Sequence, residues 1–69
     1  MKTTSDYFVY QNWTNETLYT KNLSLEQANS DFDELNRLIE SGSCGNGSAC
    51  IGRVSEESDY HVCKRLGLL

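Results

Sequence analysis

Ser24-Leu25-Glu26-Gln27-Ala28-Asn29-Ser30-Asp31-Phe32-Asp33-Glu34-Leu35-Asn36-Arg37-Leu38-Ile39-Glu40 carries the strongest periodicity in the chain. Ser24 followed by Gln27 is a capping box, in which each side chain satisfies a backbone N–H that the first helical turn leaves unpaired. Leu25, Ala28, Phe32, Leu35 and Ile39 then recur at alternating steps of three and four, one apolar stripe on a helical surface. Leu23 before the cap and Ala28 inside it suit a hydrophobic staple. Gly42 is placed to end the element. The spacing predicts a helix over 24–41.

Outward from this helix, residues 6–22 read as a β-hairpin. Tyr7-Phe8-Val9-Tyr10 and Thr17-Leu18-Tyr19-Thr20 are rich in aromatic and β-branched residues, the types that pack well on a pleated surface. Asn12-Trp13-Thr14-Asn15-Glu16 supplies the turn, with Asn15 the candidate for a left-handed conformation. On the C-terminal side, 42–48 is a flexible loop by composition and 49–54 a third strand weakened by Gly52. Residues 55–66 divide between two readings. Glu56, Glu57 and Asp59 at the start and Lys64 and Arg65 at the end complement a helix dipole, whereas Tyr60-His61-Val62-Cys63 also suits a strand. The favoured reading is a short helix. The expected fold is a small α+β domain over 1–69, ββαβ(α), with an antiparallel hairpin and third strand packed on one amphipathic helix.

Length and charge exclude much. Sixty-nine residues, 38% hydrophobic, supply about 26 apolar side chains, close to the smallest set that stabilises one core. A two-domain enzyme, a doubly wound nucleotide-binding fold and an ordinary barrel are excluded. No apolar run reaches membrane-spanning length, and Met1-Lys2-Thr3-Thr4-Ser5-Asp6 leads into no signal-peptide core, so the expected location is cytoplasmic. Ten acids against six bases give a net charge of −4, which disfavours direct binding to nucleic acid or an anionic membrane.

Cys44, Cys50 and Cys63 are odd in number and form no closed disulfide framework. The expectation is three thiols, one or two buried as small apolar groups; a Cys44–Cys50 bridge across the glycine-rich loop is the oxidised alternative. With His61 they also form a zinc-compatible ligand set, Cys44, Cys50, His61 and Cys63, without the short C-x2-C knuckle of a strong zinc motif. A Cys63 nucleophile with a His61 base lacks an orienting group and a cleft, so the chain is read as non-enzymatic, with no cofactor. Gly45-Asn46-Gly47 fails as a phosphate loop because position 50 is Cys50 and a strand, not a helix, follows. Asn-x-Ser/Thr triplets at Asn12, Asn15, Asn22 and Asn46 read as turn and cap chemistry in a chain with no secretory signature.

Two surfaces are candidates for binding. One hairpin face carries Tyr7, Val9, Gln11 and Trp13, the other Phe8, Tyr10 and Asn12, and a single helix covers only one of them. At least two aromatic residues are therefore expected to stay partly exposed unless the C-terminal segment wraps the second face. Tyr7, Tyr10, Trp13 and Tyr19 are the candidate contacts there, to a partner or to a second copy in a homodimer. The helix offers the other surface. Residues 26 to 40 hold five acids and one base, Arg37. Glu26, Asp33 and Glu40 fall on one flank at roughly 10 Å intervals, with Glu34 on the outer side and Asp31 on the opposite flank. Such a row can occupy a groove built for phosphates.

In size, acidity and lack of a catalytic constellation, the chain resembles the small phage-encoded anti-CRISPR and anti-restriction inhibitors. The resemblance covers bulk properties and involves no shared motif. It implies a non-enzymatic inhibitor, monomeric or homodimeric, acting in the host cytoplasm on a protein with a basic nucleic-acid-binding groove. Glu26, Asp33, Glu34 and Glu40 are the first contacts expected from the charge pattern. A zinc-stabilised regulatory or adaptor module is the alternative, as is a homodimeric interaction protein using the hairpin aromatics.

Overall fold

β1 (Tyr7–Asn12) and β2 (Glu16–Leu23) form an antiparallel hairpin, joined by three residues between the paired Asn12 and Glu16. In this computed structural model, which describes residues 5–69, the helix α1 (Leu25–Glu40) follows at once. β3 (Ser48–Arg53) then returns to pair antiparallel with β1, giving a sheet of order β2-β1-β3. A single 3-10 turn (Glu57–Asp59) leads into the short helix α2 (Tyr60–Leu66). The small α+β fold expected from the sequence is thus present, and helix rather than strand forms at Tyr60-His61-Val62-Cys63. The opening Met1-Lys2-Thr3-Thr4, read above as leading into no signal peptide, lies outside the described residues.

Both helix ends follow from local chemistry. Ser24 accepts from the Gln27 N–H at 3.2 Å and Gln27 Oε1 accepts from the Ser24 N–H at 3.4 Å, completing the capping box. At the other end Gly42 takes φ +79°, its N–H donating to the Ile39 carbonyl while Ser43 N–H donates to that of Leu38. These paired bonds satisfy carbonyls that the last turn leaves open, and the left-handed residue between them favours glycine. α2 stops the same way at Gly67, where Leu68 N–H reaches the Cys63 carbonyl at 2.9 Å.

The β1–β2 register slips twice, between Tyr7 and Val9 and between Val9 and Tyr10. Each slip puts extra residues on β2, bending that strand and strengthening its twist. The left-handed conformation expected at Asn15 falls instead on Asn22, φ 61°, within the slipped segment. The strand absorbs a surplus residue there, just before the helix cap, and a bulge is a place where a left-handed residue is accommodated.

The sheet is covered on both faces. Below it, Val9, Ala28, Leu35 and Ala49 form a buried cluster flanked by Tyr7, Tyr19, Leu23, Phe32, Ile39, Cys44 and Ile51. This is α1 packed on the Val9 face, and it takes in most of the predicted stripe; Leu25, at the first helical position, is 52% exposed. On the other face Phe8 is fully buried and its ring lies across Gly52. Cys63 of α2 is fully buried as well, outside the α1 cluster, and Arg65 of α2 is ion-paired to Glu16 of β2. The second helix lies on the face that α1 cannot reach, and Leu68, just beyond it, is half-buried. Burying a Phe, Val or Leu side chain contributes roughly 1.5–3 kcal/mol. Phe8, Leu35 and Val9, the three largest wholly buried side chains, therefore supply much of what so small a domain has.

Candidate functional site

α1 holds its apolar stripe against the sheet, so its remaining residues face outward. Glu26, Asp33, Glu34 and Glu40 are all exposed and Asp31 is half-buried. The ion pairs of the described residues, Arg53–Asp6 and Arg65–Glu16, involve none of these carboxylates. Glu26 sits in the first turn, where the helix dipole favours an anion, and Arg37 in the last, where it favours a cation. Tyr19 on β2 donates its hydroxyl to Glu34 Oε2 at 3.3 Å. Burial first, and then the negative charge of Glu34, holds that phenol above its ordinary pKa. The acidic helix and the aromatic hairpin, separate surfaces in the sequence, are therefore continuous at Tyr19–Glu34.

The other aromatic candidates are dispersed. Tyr7 is half-buried beneath the Arg53 guanidinium, 5.3 Å from ring centre to Cζ. Tyr10 faces the opposite side of the sheet, its ring 5.6 Å from Phe8, and lies across from Cys50 on β3. Burial first, and next Cys50, pushes its hydroxyl up to about 12. Trp13, at the hairpin turn, is 57% exposed, with one edge of its ring against Gly45 and its Cβ beside Gly47. Gln11 fastens that same loop, its Nε2 donating to the Cys44 carbonyl at 2.9 Å and to the Asn46 carbonyl at 2.8 Å. The segment read as a flexible connector is thus tied to β1. No sequence signal pointed to Gln11, because its partners lie more than thirty residues away.

The four candidate metal ligands are not assembled. Cys44 packs against the α1 core, Cys50 lies on the Tyr10 face, His61 is exposed and Cys63 is wholly buried. Among the described residues no group of three or more His, Cys, Asp or Glu is placed to hold a metal ion. All three cysteines are thiols. Burial first, then the charge of Asp59, pushes the Cys63 thiol up, the opposite of what activates a cysteine nucleophile. His61 and Cys63, two apart on a helix, point to different sides.

At the end of the sheet away from the hairpin turn, Asp6 gathers a clasp. Its Oδ2 accepts from Arg53 Nε at 3.1 Å and from the Ser55 hydroxyl, while Asp59 Oδ2 accepts from the Arg53 N–H at 2.8 Å. The Ser55 bond chiefly, with Arg53 adding to it, holds the Asp6 carboxyl below its ordinary value. Near the hairpin turn an open cleft of about 420 Å³ is lined by Asn12, Thr14, Asn15, Glu16 and Arg65. Its lining residues are all polar or charged, with neither cysteine nor histidine among them. No helix among the described residues is long and apolar enough to cross a membrane. Comparison with protein-family models, with curated proteins and with solved structures finds no match.

Proposed function

We propose that this domain is a non-enzymatic inhibitor of the anti-CRISPR type, which docks the acidic face of α1 into a basic groove of a nucleic-acid-handling protein and excludes its substrate. The observation that carries the reading is the outer face of α1. Glu26, Asp33, Glu34 and Glu40 are exposed and make no ion pair among the described residues, while Arg53 and Arg65 are spent on Asp6 and Glu16 elsewhere. One cation, Arg37, shares that flank between Asp33 and Glu40, so the face keeps a net negative charge on a rigid helix, which is attracted over a distance set by the ionic strength, about 10 Å at 0.1 M salt. The helical backbone is already ordered, so what docking must still order at this face is the exposed side chains. Tyr19, joined to Glu34, adds a half-buried aromatic edge to the docking face.

The test is charge reversal combined with capture. Glu26→Lys, Asp33→Lys and Glu40→Lys together change the net charge from −4 to about +2 at exposed positions; the lysine at 26 opposes the helix dipole by about 0.3–1 kcal/mol, and the circular dichroism spectrum should be retained. Tagged wild-type protein should capture a nucleic-acid-binding complex from lysates containing defence systems. Salt and added DNA should release that complex, and the triple variant should fail to capture it. Capture by a folded triple variant, undiminished, sinks the proposal. If wild-type protein recovers only itself and melts at a concentration-dependent temperature, the homodimeric reading through exposed Trp13 takes its place.

A further inference from the structure

We infer that Asn46-Gly47 is a built-in site of spontaneous deamidation, through which the loop before β3 ages into two chemically distinct forms. Asn46 is exposed and lies outside every helix and strand. Gly47 after it is fixed by the fold: it has φ +120°, and a Cβ there would stand 2.4 Å from the Asn12 carbonyl oxygen and 3.0 Å from Trp13 Cβ. The close approach of the hairpin turn thus demands glycine at 47, and glycine leaves the Asn46 side chain open to attack by the next backbone nitrogen. The five other asparagines are differently placed. Asn12, Asn15, Asn22 and Asn36 precede Trp13, Glu16, Leu23 and Arg37, whose side chains hinder that attack, and Asn29 is held within α1.

The chemistry needs only water. The Gly47 amide nitrogen, its proton passed to solvent, bonds to Asn46 Cγ. The Cγ–Nδ2 bond breaks, ammonia leaves and a five-membered succinimide closes. Water then opens the ring at either carbonyl. One opening gives aspartate at position 46 with the backbone unchanged; the other gives isoaspartate, in which the chain runs through the former side chain and gains a methylene. Both add a negative charge. Only the second displaces the chain where it has no room, between the Asn12 carbonyl and the Trp13 side chain, and where Gln11 Nε2 holds the Asn46 carbonyl. The isoaspartyl form therefore loosens the loop from β1, and the aspartyl form leaves it seated.

The full chain, incubated at mildly alkaline and at mildly acidic pH, tests this by peptide mass spectrometry. The tryptic peptide 38–53 contains Asn46 as its only asparagine. It should gain the mass of amide-to-acid exchange at least about tenfold faster than any other asparagine peptide, equivalent to about 1.4 kcal/mol of barrier. The reaction should be slowed by acid and abolished in Asn46→Gln, whose ring closure would need six members. Isoaspartate, detected by enzymatic methyl transfer to its free carboxyl, should appear in step with a change in Trp13 fluorescence. An unmodified 38–53 peptide while another asparagine converts, or equal conversion in Asn46→Gln, overturns the inference.

Discussion

Replacing Gly52 with alanine asks for one methyl group in a place already taken. Its Cβ would lie 2.3 Å from Phe8 Cζ and 2.8 Å from both Cε atoms, far inside van der Waals contact. Phe8 is fully buried on the side of the sheet opposite α1 and directly across from Gly52 in the ladder. The ring can yield only by lifting off the sheet, which disturbs the covering helix. Overpacking a well-filled core costs typically 1–3 kcal/mol, and a rigid ring end-on to the new atom belongs at the upper limit, about 3 kcal/mol. A chain of this length has roughly 3–10 kcal/mol in all. Urea or thermal denaturation followed by circular dichroism should therefore show a large loss, a fall in Tm of roughly 12–24 °C. Phe8→Leu alone should cost about 1–2 kcal/mol by removing buried ring atoms. The double variant should be more stable than the sum predicts, by about 1–2 kcal/mol of coupling. A Gly52→Ala protein within about 0.5 kcal/mol of wild type, or additive losses in the cycle, would refute the reasoning.

Three further outcomes follow from other contacts. Gln11→Ala removes both donors that fasten the 44–46 loop; a net loss of about 1–2 kcal/mol is expected, with faster amide exchange at Gly45 to Gly47 and a shifted Trp13 emission. Tyr10, raised from 10.0 to about 12, should resist ionisation in an ultraviolet titration of the folded protein. Because the unfolded phenol loses its proton first, this stabilisation is intact below pH 10 and is lost as pH rises toward about 12. Asp6, lowered chiefly by Ser55, behaves in the opposite sense: its contribution is present above the ordinary carboxylate value of 3.8 and fades as pH falls through the depressed one. Ser55→Ala should raise the Asp6 pKa in a carboxyl NMR titration, and no change would remove the clasp from the account.

Elements with local causes were legible from the chain alone. The capping box at Ser24 and Gln27, the apolar steps from Ala28 to Ile39 and the glycine at 42 are interactions within a few residues of each other, so their spacing suffices to place α1. The same holds for the run of aromatic and β-branched residues in β1 and for the charge gradient that marks α2. The direction of the acidic residues followed as well, since a helix that buries one stripe must turn the rest outward. What pairing across the sheet decides could not be read this way. The β2 slips that move the left-handed residue from Asn15 to Asn22 depend on how β2 meets β1. Gly52, a weak strand residue by propensity, is required by a ring forty-four positions earlier.

The four thiol and imidazole groups show the same boundary. Their order permitted a zinc site, but alternation along β3 sends Cys50 to one face while Cys44 joins the core on the other, and α2 turns His61 away from Cys63. Composition and periodicity determined the class of fold, the amphipathic helix and its charge. Only tertiary structure decided which side chains meet, because contacts between segments distant in sequence depend on strand register and on which face each helix covers.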